Sequence, residues 1–176
     1  MINLNLKLKK IMWTIIKFKH KQISILKDEI IKKLGNDVKF FIPKLRIEII
    51  KKNKVYDKEN YLLGNYMFCF HKKFSEKKIT ESLKYCRGLN YFLDDYINSQ
   101  VEINSFINKC EINEDKNGFL KQSFFNYLVG EKYEFLSGPF SQMICKILNE
   151  NKKNFEVLIG KYKATVSKEK SLFRPI

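Results

Sequence analysis

The chain has 176 residues, 44% of them hydrophobic, and a net charge of +15. That length and apolar content allow one or two small packed domains and exclude the composition of a disordered chain. The longest apolar run, near residues 11–16, falls far short of the roughly 20 residues that span a bilayer, and residues 1–10 lack the apolar core and cleavage site of a signal peptide, so a cytoplasmic protein without membrane association is expected.

In chain order, Met12 to Phe18 reads as a strand containing the only tryptophan, Trp13. Ile23, Leu26, Ile30 and Leu34 follow at helical spacing, with Gly35 as the stop. Lys39 to Ile42 is a short strand closed by Pro43. Leu45 to Ile50 alternates as a strand, residues 51–54 turn, and Val55-Tyr56 return, giving a basic hairpin expected to project from the body. Tyr66 to Phe70 is dense in aromatic residues, as a central strand is. Ser75 is placed to cap a helix with the stripe Ile79, Leu83 and Cys86, ended by Arg87-Gly88; Leu89 to Leu93 is a further strand. Ser99-x-x-Glu102 is a capping box ahead of Ile103, Phe106, Ile107 and Cys110 on one helical face. The order β-α-β-β-β-α-β-α predicts an α+β sandwich with helices over an antiparallel sheet. Glu111 to Gln122 is polar, with Asp115-Lys116-Asn117-Gly118 in its middle, and reads as a linker. Beyond it, Val129-Gly130-Glu131, the alternating Lys132 to Phe135, Ser137-Gly138-Pro139-Phe140 and Phe155 to Ile159 before Gly160 read as short strands of a small β-barrel.

No catalytic constellation is legible. The four cysteines, Cys69, Cys86, Cys110 and Cys145, lack Cys-x-x-Cys spacing and read as buried free thiols. His20 and His71 have no ligand partners at metal spacing and read as surface or edge residues. Asp94-Asp95 stands without further carboxylates, and there is no phosphate-cradling glycine motif. A non-enzyme with no cofactor and no metal is expected. The charge is uneven: residues 1–58 carry sixteen basic and five acidic side chains, residues 59–123 balance at nine each, and the remainder carries +4. Clustered lysines gain free energy by displacing counterions from phosphates, so nucleic acid is a candidate partner of the first third. Lys17, Lys19 and Lys21 flank the first strand, after Lys7, Lys9 and Lys10; Arg46, Lys51, Lys52 and Lys54 lie on the hairpin. Composition offers a competing explanation, since a chain rich in Lys, Asn and Ile also reflects an AT-biased genome.

Taken in order, these motifs over residues 11–176 resemble the NusG family of transcription elongation factors. Trp13 matches the leading tryptophan of its first strand. Leu62-Leu63-Gly64-Asn65-Tyr66 stands where the family carries Leu-Phe-Pro-Gly-Tyr, and Asn65-Tyr66 follows the specialised RfaH branch, with Leu63 in place of phenylalanine and Gly64 in place of proline. Arg87-Gly88-Leu89 resembles the Arg-Gly-Val strand entry of that branch, and Val129-Gly130-Glu131 with Ser137 to Phe140 resembles the KOW motif, Cys145 replacing a family glycine. The resemblance implies an N-terminal extension (residues 1–10), an RRM-like or ferredoxin-like α/β sandwich (11–110), a linker (111–123) and an SH3-like KOW barrel (124–176). It implies a monomeric elongation or antitermination factor that binds the RNA polymerase clamp and suppresses pausing or termination. Trp13, Leu63 and Tyr66, with Phe92 as a neighbour, would line the apolar docking depression; Thr80 and Ser82 would touch the opposite side of the cleft. The basic residues would meet non-template DNA or nascent RNA, with Arg46 or Tyr56 able to read a base. Phe140, Leu158 and Ile159 of the barrel would contact a second partner such as ribosomal protein S10 or Rho. The alternative is an RNA- or ribosome-binding KOW protein without a polymerase role.

Overall fold

The computed structural model describes residues 12–51, 54–168 and 170–176. The fold is mixed α/β, and contacts divide it into two compact units.

The first unit runs to Ile42 and resumes over Leu63–Asn108. It contains strands β1 (Met12–Phe18) and β2 (Lys39–Phe41) and helix α1 (Ile23–Leu34). With β3 (Lys44–Lys51) and β4 (Lys54–Tyr61) assigned elsewhere, it continues through β5 (Tyr66–His71), α2 (Lys77–Leu83), β6 (Leu89–Phe92) and most of α3 (Gln100–Asn113). Its sheet has the order β2-β5-β1-β6, every pairing antiparallel. Strand alternation sorts the residues into two faces. Met12, Thr14, Ile16 and Phe18 are buried on one face; Trp13, Ile15 and Lys17 point to the other and are half-buried. On the first face α1 buries Leu26, Ile30 and Leu34, and Lys27 lies over the Phe40 ring. On the second, Phe106 of α3 packs on Phe68, ring centroids 5.6 Å apart.

Two glycines are required by geometry. Gly35 has φ 109° and donates its N–H to the Ile31 carbonyl, closing α1 where the sequence places its stop. Gly88 has φ 86°, and a Cβ there would lie 2.7 Å from the Gln22 carbonyl oxygen. The close approach is used, because the Gly88 carbonyl accepts the Lys19 N–H.

Ser75 does not cap α2. Its hydroxyl donates to the Lys72 carbonyl within a preceding turn, and Glu76 takes the capping position without a side-chain bond. The helix stops at Leu83, so Cys86 is buried beyond its end. All four cysteines are free and buried, and burial pushes their thiols up, Cys145 to about 11, which keeps them protonated. His71 is not a surface residue. It is 1% exposed, its Nε2 lies 3.1 Å from Asp37, and its Nδ1 accepts the Lys73 N–H. An N–H acceptor at Nδ1 leaves the proton on Nε2, so the ring serves as a satisfied structural bridge.

The second unit takes Pro43–Leu62 together with Lys109–Ile176. The β3–β4 hairpin pairs Lys44 with Tyr61 through to Lys51 with Lys54, a return strand much longer than Val55-Tyr56. It therefore groups with the C-terminal residues and not with the strands that flank it in sequence. The reason is a set of long-range bonds. The Glu48 N–H donates to the Leu136 carbonyl (2.9 Å), the Glu48 carboxylate accepts the Gly138 N–H (2.7 Å), and the Ser141 hydroxyl donates to the Glu48 carbonyl. At the other end of β3, the Leu120 N–H donates to the Lys44 carbonyl, and the Arg46 guanidinium lies 4.7 Å from the Phe119 ring centroid. The expected linker is partly helical, since α3 runs to Asn113. The rest turns on Asp115, whose carboxylate accepts the N–H groups of Asn117 and Phe119.

Five further strands, β7 (Lys132–Phe135), β8 (Ile144–Glu150), β9 (Asn154–Ile159), β10 (Tyr162–Ser167) and β11 (Phe173–Pro175), form an antiparallel sheet in the order β10-β9-β8-β7-β11. Its inward positions build an aromatic core of Tyr133, Phe135, Phe155 and Phe173 with Ile147, Val157, Ile159 and Val166. Phe135 and Phe173 stack with centroids 4.5 Å apart.

Candidate docking surface

The turn after β4 delivers the central side chain of the site. Leu63 is half-buried, Gly64 takes φ 59°, and the Asn65 carbonyl accepts the Phe18 N–H, which fixes the entry of β5. Tyr66 is then the first residue of β5, directly across from Lys17 of β1. On the other side of β1, Lys17 faces Tyr91 of β6. Direct cross-strand partners share a face, so the three side chains form one row. The Tyr66 and Tyr91 hydroxyls are 3.0 Å apart, and the Lys17 ammonium lies 4.9 Å from the Tyr66 ring centroid and 5.7 Å from that of Tyr91. Hydrogen bonding to Tyr66 raises the Lys17 pKa, and the hydrogen bond shared by the two phenols lowers that of Tyr66 and raises that of Tyr91.

Trp13 stands further along the same face of β1. Its indole packs on Phe70 (4.9 Å between centroids) and edge-on to Phe68 (6.4 Å). Its backbone is held by a side chain: the Trp13 N–H donates to Gln100 Oε1 at 3.0 Å, and Gln100 Nε2 donates to the Trp13 and Tyr96 carbonyls at 2.8 and 2.6 Å. A glutamine beside a capping box reads as exposed, and nothing in the local sequence marks this one as 7% exposed.

Phe92 does not join this row. It pairs with Ile16, so it lies on the opposite face, 6.3 Å from the Phe74 ring. Tyr91, one residue earlier, occupies the position expected of it. Thr80 lines an open groove of about 1010 Å³ with Lys84, Tyr91 and the residues from Asp94 to Asn98. Ser82 is not in that groove: its hydroxyl donates to the Ile79 carbonyl, and its own carbonyl accepts Lys33 Nζ.

The candidate basic residues fall into two sets. Lys17 belongs to the tyrosine row of the first unit, and Lys19 and Lys21 are exposed just beyond it. Arg46 and Lys54 are exposed on the hairpin of the second unit, where the Lys51 and Lys54 backbones pair. The hairpin also carries acids, with Lys44 and Glu59 3.1 Å apart. Lys52, Lys7, Lys9 and Lys10 lie outside the described residues.

In the C-terminal sheet, Phe140 packs on Phe135 at 5.5 Å. Leu158 points outward, paired across to Lys146 and Lys163. Ile159 does not: it is 7% exposed and belongs to the core, because Phe155, Val157 and Ile159 share the inward period of β9. Among the described residues, no group of three or more His, Cys, Asp or Glu is placed to hold a metal ion, and no helix is long and apolar enough to cross a membrane.

No family model matches the sequence, and no curated protein matches it. Solved structures do. The chain is similar to Thermotoga maritima NusG, from a structure describing its domain interaction, at 13% identity over 93% of this chain and 97% of that one, with a TM-score of 0.38. It is also similar to a chain of the MjSpt4:Spt5 complex in conformation B, at 14% identity over 94% and 98%, with a TM-score of 0.30.

Proposed function

We propose that this chain is a NusG-type transcription elongation factor, closer to the specialised RfaH branch than to the general factor. In this reading the first unit is the ferredoxin-like sandwich and docks the RNA polymerase clamp. The C-terminal sheet is an SH3-like KOW barrel that recruits a second protein, such as ribosomal protein S10 or Rho. The factor acts by binding, with no catalysis of its own, as a monomer in the cytoplasm. A clamp bridged across the cleft is held closed, so paused and termination-prone states lose population and elongation continues.

One observation carries the reading. The turn at Leu62 to Asn65, where the sequence resembles the family most closely, sets Tyr66 on the same sheet face as Trp13. A half-buried aromatic strip with a leucine at its margin is what an apolar docking surface requires. In the barrel, the outward Leu158 replaces Ile159 as the contact for a second partner, because Ile159 faces the core.

The test is co-purification of the full chain with core RNA polymerase. Leu63→Ala with Tyr66→Ala removes the tyrosine of the strip and the leucine beside it, and truncating an anchor at an interface centre costs about 2 kcal/mol. The double variant, folded by circular dichroism, is expected to lose the polymerase. Wild-type recovery of polymerase by that folded variant would reject the docking.

A further inference from the structure

We infer that the docking face is built to receive a carboxylate, presented by an acidic side chain on an otherwise apolar protein surface, with Lys17 as its receptor. The inference rests on the polymerase-docking reading above and adds the chemistry of the surface that must meet it.

The second face of β1 carries Trp13, Ile15 and Lys17, all half-buried, with α3 packed on Phe68 across from Ile15. Two are apolar and the third is a cation at the middle of the tyrosine row. Among the described residues, Lys17 has no carboxylate within ion-pair distance; the two tyrosines favour its charged form and burial opposes it. Its ammonium is stabilised by the hydroxyls and ring faces of Tyr66 and Tyr91, all neutral groups. A partner that covers Tyr66 must also cover Lys17, its direct cross-strand neighbour, and remove it from solvent. An ammonium without an anion at a dry interface is costly, and neutral hydroxyls and ring faces do not neutralise its charge. The face is therefore self-consistent only if the partner supplies a negative oxygen there.

The donors for it already converge. Lys17 offers its ammonium protons. The bond between Tyr66 and Tyr91 consumes one phenolic proton and leaves the other to point at a ligand. A carboxylate has two oxygens to accept both. A nucleic-acid phosphate would satisfy the same donors, but it arrives on a solvated sugar-phosphate chain. Half-buried Trp13, Ile15 and Phe70 around the row favour an apolar protein surface carrying one acid. Charge placed so specifies register and partner more than it adds affinity.

The experiment measures the dissociation constant of the full chain for core RNA polymerase across a salt series, with single-stranded DNA and RNA as parallel ligands. Lys17→Met keeps the stem and removes the charge, Lys17→Arg keeps the charge, and Tyr66→Ala reports on docking itself. The expected result is at least tenfold weaker polymerase binding and a flatter salt dependence for Lys17→Met, with Lys17→Arg close to wild type. If Lys17→Met binds polymerase as tightly as wild type while Tyr66→Ala does not, the face docks polymerase and the carboxylate is wrong. If Lys17→Met weakens only the nucleic acids, the anion is a phosphate and the inference is overturned. If neither Tyr66→Ala nor Lys17→Met changes polymerase binding, the docking reading falls first and this inference with it.

Discussion

Ile159 and Leu158 are adjacent, chemically alike and opposite in consequence. Ile159 sits at 7% exposure at the inward end of β9, in the same core as Phe155, Val157 and Phe173. Truncation to alanine removes buried methyl groups and leaves a void that a small sheet closes poorly, a loss of about 2–5 kcal/mol. For a chain of 176 residues that is a fall in Tm of roughly 4–20 °C. Leu158 points outward between Lys146 and Lys163, so Leu158→Ala should cost about 1 kcal/mol or less. Urea and thermal denaturation followed by far-UV circular dichroism compare the two variants directly. If Leu158→Ala is the more destabilising, the register of β9 is inverted, and the assignment of Leu158 to partner contact fails with it.

Three further outcomes are expected. Thr14 is wholly buried, and its hydroxyl has no hydrogen-bond partner among the described residues, so Thr14→Val should raise stability by about 1 kcal/mol, read as a higher urea midpoint; a lower midpoint would mean that the hydroxyl is bonded. Glu48→Ala removes the acceptor of the Gly138 N–H, and amide exchange at Gly138 should speed by about tenfold or more while exchange in β9 is unchanged. Asp115 has its carboxyl held below the ordinary range, chiefly by the Phe119 N–H and then by that of Asn117, with burial opposing. A depressed folded pKa contributes stability that is complete above the unfolded value and is lost as pH falls through the folded one. The stability gap between wild type and Asp115→Asn should therefore be full at about pH 6 and close below about pH 4; a gap that widens in acid would reverse the sign.

Local signals were legible where local physics decides them. The limits of β1 and α1 follow from alternation, helical spacing and the glycine stop, and these elements end where the sequence reading ends them. The inward face of Ile159 was also written in the alternation of Phe155, Val157 and Ile159; assigning it to partner contact came from the position it holds by resemblance, which overrode its own strand period. Phe92 and Tyr91 differ for another reason. Which of them joins Lys17 depends on the register of β6 against β1, where a shift occurs between Lys17 and Phe18, and register across seventy residues of sequence leaves no local trace. The hairpin is the same problem at larger scale: its attachment depends on bonds between Glu48 and residues ninety positions later. Gln100 and His71 are polar residues buried because they are satisfied, and satisfaction is a property of the partner rather than of the residue.

Gln100 has a consequence for assembly. β6 pairs with β1 only from Ile16 to Phe18, with one more bond from Leu93 to Ile15, so the backbone at Trp13 would stand as an open sheet margin. An unpaired margin is a template onto which a foreign chain can zip. The Gln100 amide occupies it as a one-residue counterfeit strand, donating and accepting as a peptide group would. Any intruding chain must first evict a side chain anchored at the start of α3, so this stretch of β1 is closed to strand addition.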